Sequence, residues 1–112
     1  VGYRYGEGLN LTNLGNLYYS QGQIMAALAH YDQAIAVFGS IGERRGEAFV
    51  RANAATLRQA ILGDHETAAT DASAALAFFR ESGDQGGEAQ CLDTLGEIAR
   101  QQGDFALAHE YL

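Results

Sequence analysis

Apolar and polar positions along this 112-residue chain follow a helical period rather than the strict alternation of a strand. Leu11, Leu14, Gly15 and Tyr18 fall at i, i+3, i+4 and i+7, the stripe that one face of an α-helix presents, and predict a helix over about 8–21. Beyond a glycine turn at Gly22, the spacing of Ala27, Tyr31, Ala34 and Phe38 predicts a second helix to about Ser40. The same reading predicts helices near 43–61 and 65–82, then near 84–101 and 105–112.

The chain also repeats itself. Gly42-Glu43-Arg44-Arg45-Gly46-Glu47-Ala48 recurs as Gly83-Asp84-Gln85-Gly86-Gly87-Glu88-Ala89, and a weaker copy, Gly2-Tyr3-Arg4-Tyr5-Gly6-Glu7-Gly8, precedes both, at offsets of 40 and 41 residues. A second landmark, the turn glycines Gly22, Gly63 and Gly103, keeps the same step. The middle unit is one residue longer between its landmarks: Glu47 to Gly63 is 16, against 15 for Glu7 to Gly22 and for Glu88 to Gly103. Capping chemistry marks the boundaries independently. Asp64 and Asp104 follow turn glycines and are natural N-caps. Ser40 with Glu43, and Ser82 with Gln85, have the spacing of a capping box, with Asp84 as a competing cap.

Leu11-x-x-Leu14-Gly15-x-x-Tyr18 followed by Ala27-x-x-x-Tyr31-x-x-Ala34 resembles the signature of the tetratricopeptide repeat. The third unit repeats it as Leu92-x-x-Leu95-Gly96-x-x-Ala99 and Ala108-x-x-x-Leu112, while the middle unit is worn: Arg51-x-x-Ala54-Ala55-x-x-Arg58, then Ala68-x-x-x-Ala72-x-x-Ala75. Small residues stay where two helices must touch, and larger ones fill the holes beside them. The period of about forty residues and the lack of proline depart from the usual unit. The longer form is similar to the Leu-Gly-Asn repeat adaptors, through Asn13-Leu14-Gly15-Asn16, and to the repeat arrays of bacterial signalling and transcription regulators. The resemblance implies an all-α fold, a right-handed superhelix of about three antiparallel helix pairs, in units of about 6–41, 42–82 and 83–112, the last truncated. The chain starts at Val1 and stops at Tyr111-Leu112 within an apolar helical pattern, so it is expected to be a section of a longer protein.

Charge and composition narrow the partners. Lysine is absent, and seven arginines stand against 14 acidic residues, for a net charge of -7. Such a balance repels phosphate backbones and anionic lipid, so neither nucleic acid nor membrane is an expected partner. No stretch approaches the roughly 20 apolar residues of a membrane span. Cys91 is single, so no internal disulfide can form, and a cytoplasmic location is expected. His30, His65 and His109 share no metal-binding spacing, and Cys91 aligns with Val50 as a small core residue. The glycine-rich segments recur with the repeat and lack the Gly-Lys-Ser/Thr of a phosphate loop. No nucleophile-base arrangement is visible. The expectation is no enzyme, no cofactor and no metal.

In a stacked array the first helix of each pair lines a concave surface that holds partner segments. Mapped from the signature, the partner-binding candidates are Asn13, Asn16 and Tyr19 in the first unit, Asn53 and Gln59 in the second, and Asp93, Glu97 and Arg100 in the third. Their neighbours on that surface are Leu9, Thr12, Phe49, Ala52, Thr56, Gln90 and Thr94. The asparagine amides suit a peptide backbone, which needs both a donor and an acceptor; the plain alternative is solvated helix residues, with Asn16 bonding only to a neighbouring helix. Without lysine, capture of a C-terminal carboxylate is not expected. The expected function is a non-catalytic module holding a protein or peptide segment within a larger signalling or regulatory protein. The competing reading is a scaffold that self-associates through open ends near Leu107, Tyr111 and Leu112.

Overall fold

The computed structural model describes residues 2–111. Among them lie α1 (Gly2–Ser20), α2 (Ile24–Ser40), α3 (Arg44–Leu57), a π-helical turn (Arg58–Leu62), α4 (His65–Ser82), α5 (Gln85–Gln101) and α6 (Phe105–Tyr111), with no strand. The chain forms two compact units, Val1–Val50 and Arg51–Leu112. The architecture is an all-α helical repeat array. Leu112, expected near an open end, lies outside the described residues.

Glycines in the left-handed region, Gly22, Gly42, Gly63, Gly83 and Gly103, follow the ends of successive helices. Gly83, at φ 77°, ends α4 with its amide donating to Phe79 O. A side chain there would strain the backbone, so glycine is the natural stop. Each aspartate that follows caps the next helix: Asp64 Oδ1 accepts from Thr67 N at 3.4 Å, Asp84 Oδ1 from Gly87 N at 2.9 Å and Asp104 Oδ1 from Leu107 N at 3.0 Å.

Two boundary expectations are corrected. Ser40 and Ser82 do not cap forward; their hydroxyls donate back to Val37 O at 2.7 Å and Phe79 O at 3.4 Å. The left-handed Gly42 and Gly83 place both serines on the ending helix, so Glu43, whose Oε1 accepts from Gly46 N at 3.1 Å, and Asp84 take the caps. Helix α1 begins at Gly2 rather than near residue 8: Gly2 and Gly6 lie within it in open space and do not end it, and Gly8 serves packing. A Cβ on Gly8 would stand 2.5 Å from the Phe38 ring.

In the Val1–Val50 unit α1 lies against α2. Gly15 brings the Tyr31 ring onto the α1 backbone, where a Cβ would be 2.5 Å from Cε1. Ala27, Leu28, Ala34 and Val37 complete the apolar face of α2. Phe38, 1% exposed, contributes on the order of 2–3 kcal/mol by burial. Leu14, expected on the inner stripe, is 40% exposed, since the stripe narrows to Gly8, Thr12 and Gly15.

In the Arg51–Leu112 unit α5 lies between α4 and α6, touching both. Its core is small-residue-rich: Ala68, Ala72, Ala75 and Phe79 of α4, Cys91, Leu95, Ile98 and Ala99 of α5, and Ala108 of α6. Gly87 admits the Phe79 ring as Gly15 admits Tyr31; a Cβ there would lie 2.5 Å from it. The helix expected over 43–61 runs as an α-helix only to Leu57 and then widens into the π turn. This is where the middle unit has its extra residue.

Candidate partner-binding site

The π turn changes which side chains face inward. Counted forward from Gly42, Arg58 takes the place that Tyr18 holds in the first unit; counted back from Gly63, Gln59 takes it. A regular helix turns about 100° per residue; an i→i+5 turn is wider and shifts the phase of the side chains within and after it. Leu57 and Gln59 are 5% and 7% exposed, and the Arg58 side chain 12%. Gln59, expected at the outward Tyr19 position, is therefore an inward residue.

Arg58 reaches α4, where its Nη1 donates to Asp71 Oδ2 at 3.1 Å. Arg51 Nη1 donates to Asp71 Oδ1 at 2.6 Å. The carboxylate is held between two guanidinium groups, with its side chain only 8% exposed. This cluster is absent from the sequence reading, yet it left a signal. Two arginines occupy apolar signature positions in the worn unit, and burying them calls for a facing carboxylate.

Gln59 turns toward a depression of about 380 Å³ lined also by Thr56, Asp93, Thr94, Gly96, Glu97, Arg100 and Ala108. Four expected site residues, Gln59, Asp93, Glu97 and Arg100, are thus brought together, and the small Gly96 and Ala108 leave room between α5 and α6. Asn53 stands beside them in a polar ladder joining α3 to α5. Gln90 Nε2 donates to Asn53 Oδ1 at 3.1 Å and to Thr56 Oγ1 at 3.4 Å, and the Thr56 and Thr94 hydroxyls are 3.4 Å apart. Both threonines also donate back to their own helices, to Ala52 O at 3.0 Å and Gln90 O at 3.1 Å.

Arg100 and Glu97 form a two-pronged pair. Arg100 Nε donates to Glu97 Oε2 at 3.0 Å, Arg100 Nη2 donates to Glu97 Oε1, and Gln101 Nε2 adds a bond to Oε1 at 3.1 Å. These bonds, the arginine's above all, lower the Glu97 pKa and raise that of Arg100. Both groups are solvent-exposed, so the pair orders the rim more than it stabilises the fold.

Asn13, Asn16 and Tyr19 belong to the other unit and are all exposed. Asn16 Oδ1 accepts from the buried Tyr31 hydroxyl, so this exposed residue braces α2. Burial, and next the neighbouring Tyr19, raise the Tyr31 pKa. Thr12 and Ala52, expected on the same surface, are buried at 7% and 2%.

Other candidate chemistry resolves into packing. His30 Nδ1 donates to Ala26 O at 2.8 Å, and its ring lies 4.9 Å from that of Tyr18. Cys91 is buried, and desolvation pushes its thiol up to about 11, which keeps it protonated and unreactive at neutral pH. Among the described residues no three His, Cys, Asp or Glu side chains gather around a metal position, and no helix is long and apolar enough to cross a membrane.

Residues 7–81 match the family model described as tetratricopeptide repeat. The chain belongs to the tetratricopeptide-repeat family. Tetratricopeptide repeats are generally protein–protein interaction modules and typically non-catalytic. No curated protein matches the chain. The tetratricopeptide match spans both the Gly15–Tyr31 contact and the Arg51–Asp71–Arg58 cluster, so the worn middle signature lies within the family match.

Proposed function

We propose that this chain is a non-catalytic interaction module that holds a peptide or partner segment on the concave face of its helical array, as part of a larger cytoplasmic signalling or regulatory protein. The observation that carries this reading is the convergence of Gln59, Asp93, Glu97 and Arg100 on one depression, continued by the amide ladder of Asn53 and Gln90. Amides and hydroxyls on rigid helices are suited to a peptide main chain, whose donors and acceptors do not depend on its sequence. In this reading the two units make separate contacts with the same partner, Asn13, Asn16 and Tyr19 contributing those of the first.

The test is selection from a displayed peptide library, followed by calorimetric titration of the selected peptides. Asn13→Ala combined with Asn53→Ala is expected to weaken binding about tenfold, the sum of two ordinary hydrogen bonds, with helicity unchanged. Unchanged affinity in the double variant sinks the reading. A second reading, a self-associating scaffold without a peptide ligand, draws on Phe105 and Leu107 of α6, which are 69% and 37% exposed.

A further inference from the structure

The depression beside the π turn contains a polar group with nothing to bind. Gln59 is 7% exposed, and its amide makes no hydrogen bond among the described residues. The amide is not sealed in: among the described residues, His65 Nδ1 is the fully enclosed side-chain polar atom that lacks a partner. The side chain is nine-tenths buried yet lines the depression, so a polar group entering there meets an amide that no other protein group engages. Gln59 stands where the neighbouring units have Tyr18 and Ala99, so an apolar side chain would serve the packing alone.

The charges around it are unbalanced. Arg100 is engaged by Glu97 through both prongs of its guanidinium, which leaves Asp93, an exposed carboxylate with no ion pair among the described residues. Two carboxylates against one guanidinium give the depression a net charge of -1. An anion entering it would meet Asp93 and an arginine already neutralised. A cation would meet Asp93 and the carbonyl oxygen of Gln59.

We propose that this depression binds one cationic side chain, lysine or arginine, of the partner segment, with Asp93 as counter-ion and the Gln59 amide oxygen as a second acceptor. The inference rests on the reading of the chain as a module that holds a partner segment, and it fixes the chemistry of one anchor in that segment. The extra residue of the middle unit then has a role, since the π turn is what turns Gln59 into the depression.

The test has two arms on the full chain. In the first, the isotope-labelled protein is titrated by NMR with N-acetyl-arginine methylamide and N-acetyl-lysine methylamide, against the norleucine and glutamate analogues. The cationic probes are expected to shift the Gln59 side-chain amide resonance with at least about tenfold higher affinity than norleucine, and Asp93→Asn to erase that difference. The stronger of the two identifies the ammonium or the guanidinium as the preferred group. Asp93 is exposed, so the variant keeps its fold, which circular dichroism checks; Gln59→Met, close in shape, is expected to weaken the same probes.

In the second arm, displayed peptides selected on the native protein are expected to carry a basic residue at one position, and selection on Asp93→Asn to lose it. Peptides selected without that preference, together with cationic probes no better than norleucine, overturn the cation pocket and leave the partner-holding reading intact. Probe binding at Gln59 with no peptide selected supports the pocket and removes the partner-holding reading. Probe binding unchanged in Asp93→Asn overturns the assignment.

Discussion

Gly6 and Gly15 lie on one helix and answer to opposite forces. Nothing stands within 4 Å of a Cβ built on Gly6, so Gly6→Ala meets only the helix propensity difference and is expected to stabilise the protein by about 0.5–1 kcal/mol. At Gly15 the same methyl would lie 2.5 Å from the Tyr31 ring and 3.2 Å from Ala27 O. The ring is 2% exposed and its hydroxyl is tied to Asn16, so it retreats only by giving up that bond. An overpacking cost of about 1–3 kcal/mol exceeds the propensity gain, and Gly15→Ala is expected to lower the urea midpoint while Gly6→Ala raises it. Equal shifts in the same direction would show that the contact yields. This difference was only half legible in the sequence. Gly15 stood in a recognisable signature, whereas Gly6 and Gly8 stood in a glycine-rich segment that recurs with the repeat, where a glycine that admits a neighbouring ring and one in open space are the same letter.

At the scale of elements, the helix ends were the most legible feature. Left-handed glycines and the aspartates after them act locally, through one dihedral and one side-chain bond, and a short stretch of sequence contains everything needed to place them. Ser40 and Ser82 misled because the capping-box spacing ignores which side of the left-handed glycine the serine lies on. The π turn was visible as one residue too many, but not which side chains it would turn inward. That depends on Asp71, which draws Arg58 from another helix. Removing the carboxylate charge with Asp71→Asn leaves two guanidinium groups facing a neutral amide. The expected loss is about 2–3 kcal/mol in urea unfolding, below the full value for a buried pair because the Arg51 side chain is 27% exposed. Hydrogen exchange should report the loss first at 58–62, and unaltered protection there would mean the turn stands without the cluster.

For the whole molecule, the family and the all-α architecture followed from periodicity and signature spacing, which sample the entire chain. The site was legible where it lies on one helix: Asp93, Glu97 and Arg100 are spaced three and four apart and share a face of α5 by geometry alone. Gln59 joins them through tertiary packing, which spacing does not encode. The exposed apolar residues belong to this scale as well. If Phe105 and Leu107 drive self-association, light scattering will give a mass that rises with concentration, and Phe105→Ser will hold it at one chain; a constant mass of about one chain in the native protein would remove the scaffold reading.

The widened turn at Arg58–Leu62 has a further consequence for how such chains are compared. Aligning the units by residue number assigns the position of Tyr18 to Arg58 from one side and to Gln59 from the other, and both assignments are right, because the helix has split one inward place between two residues. A gap placed anywhere in 58–62 therefore has no unique location. An insertion of this kind adds a functional group without displacing an old one: the duplicated place keeps one residue for cohesion and frees the other to diversify, and a single deletion at the exposed Ala60 would return the unit to its common length.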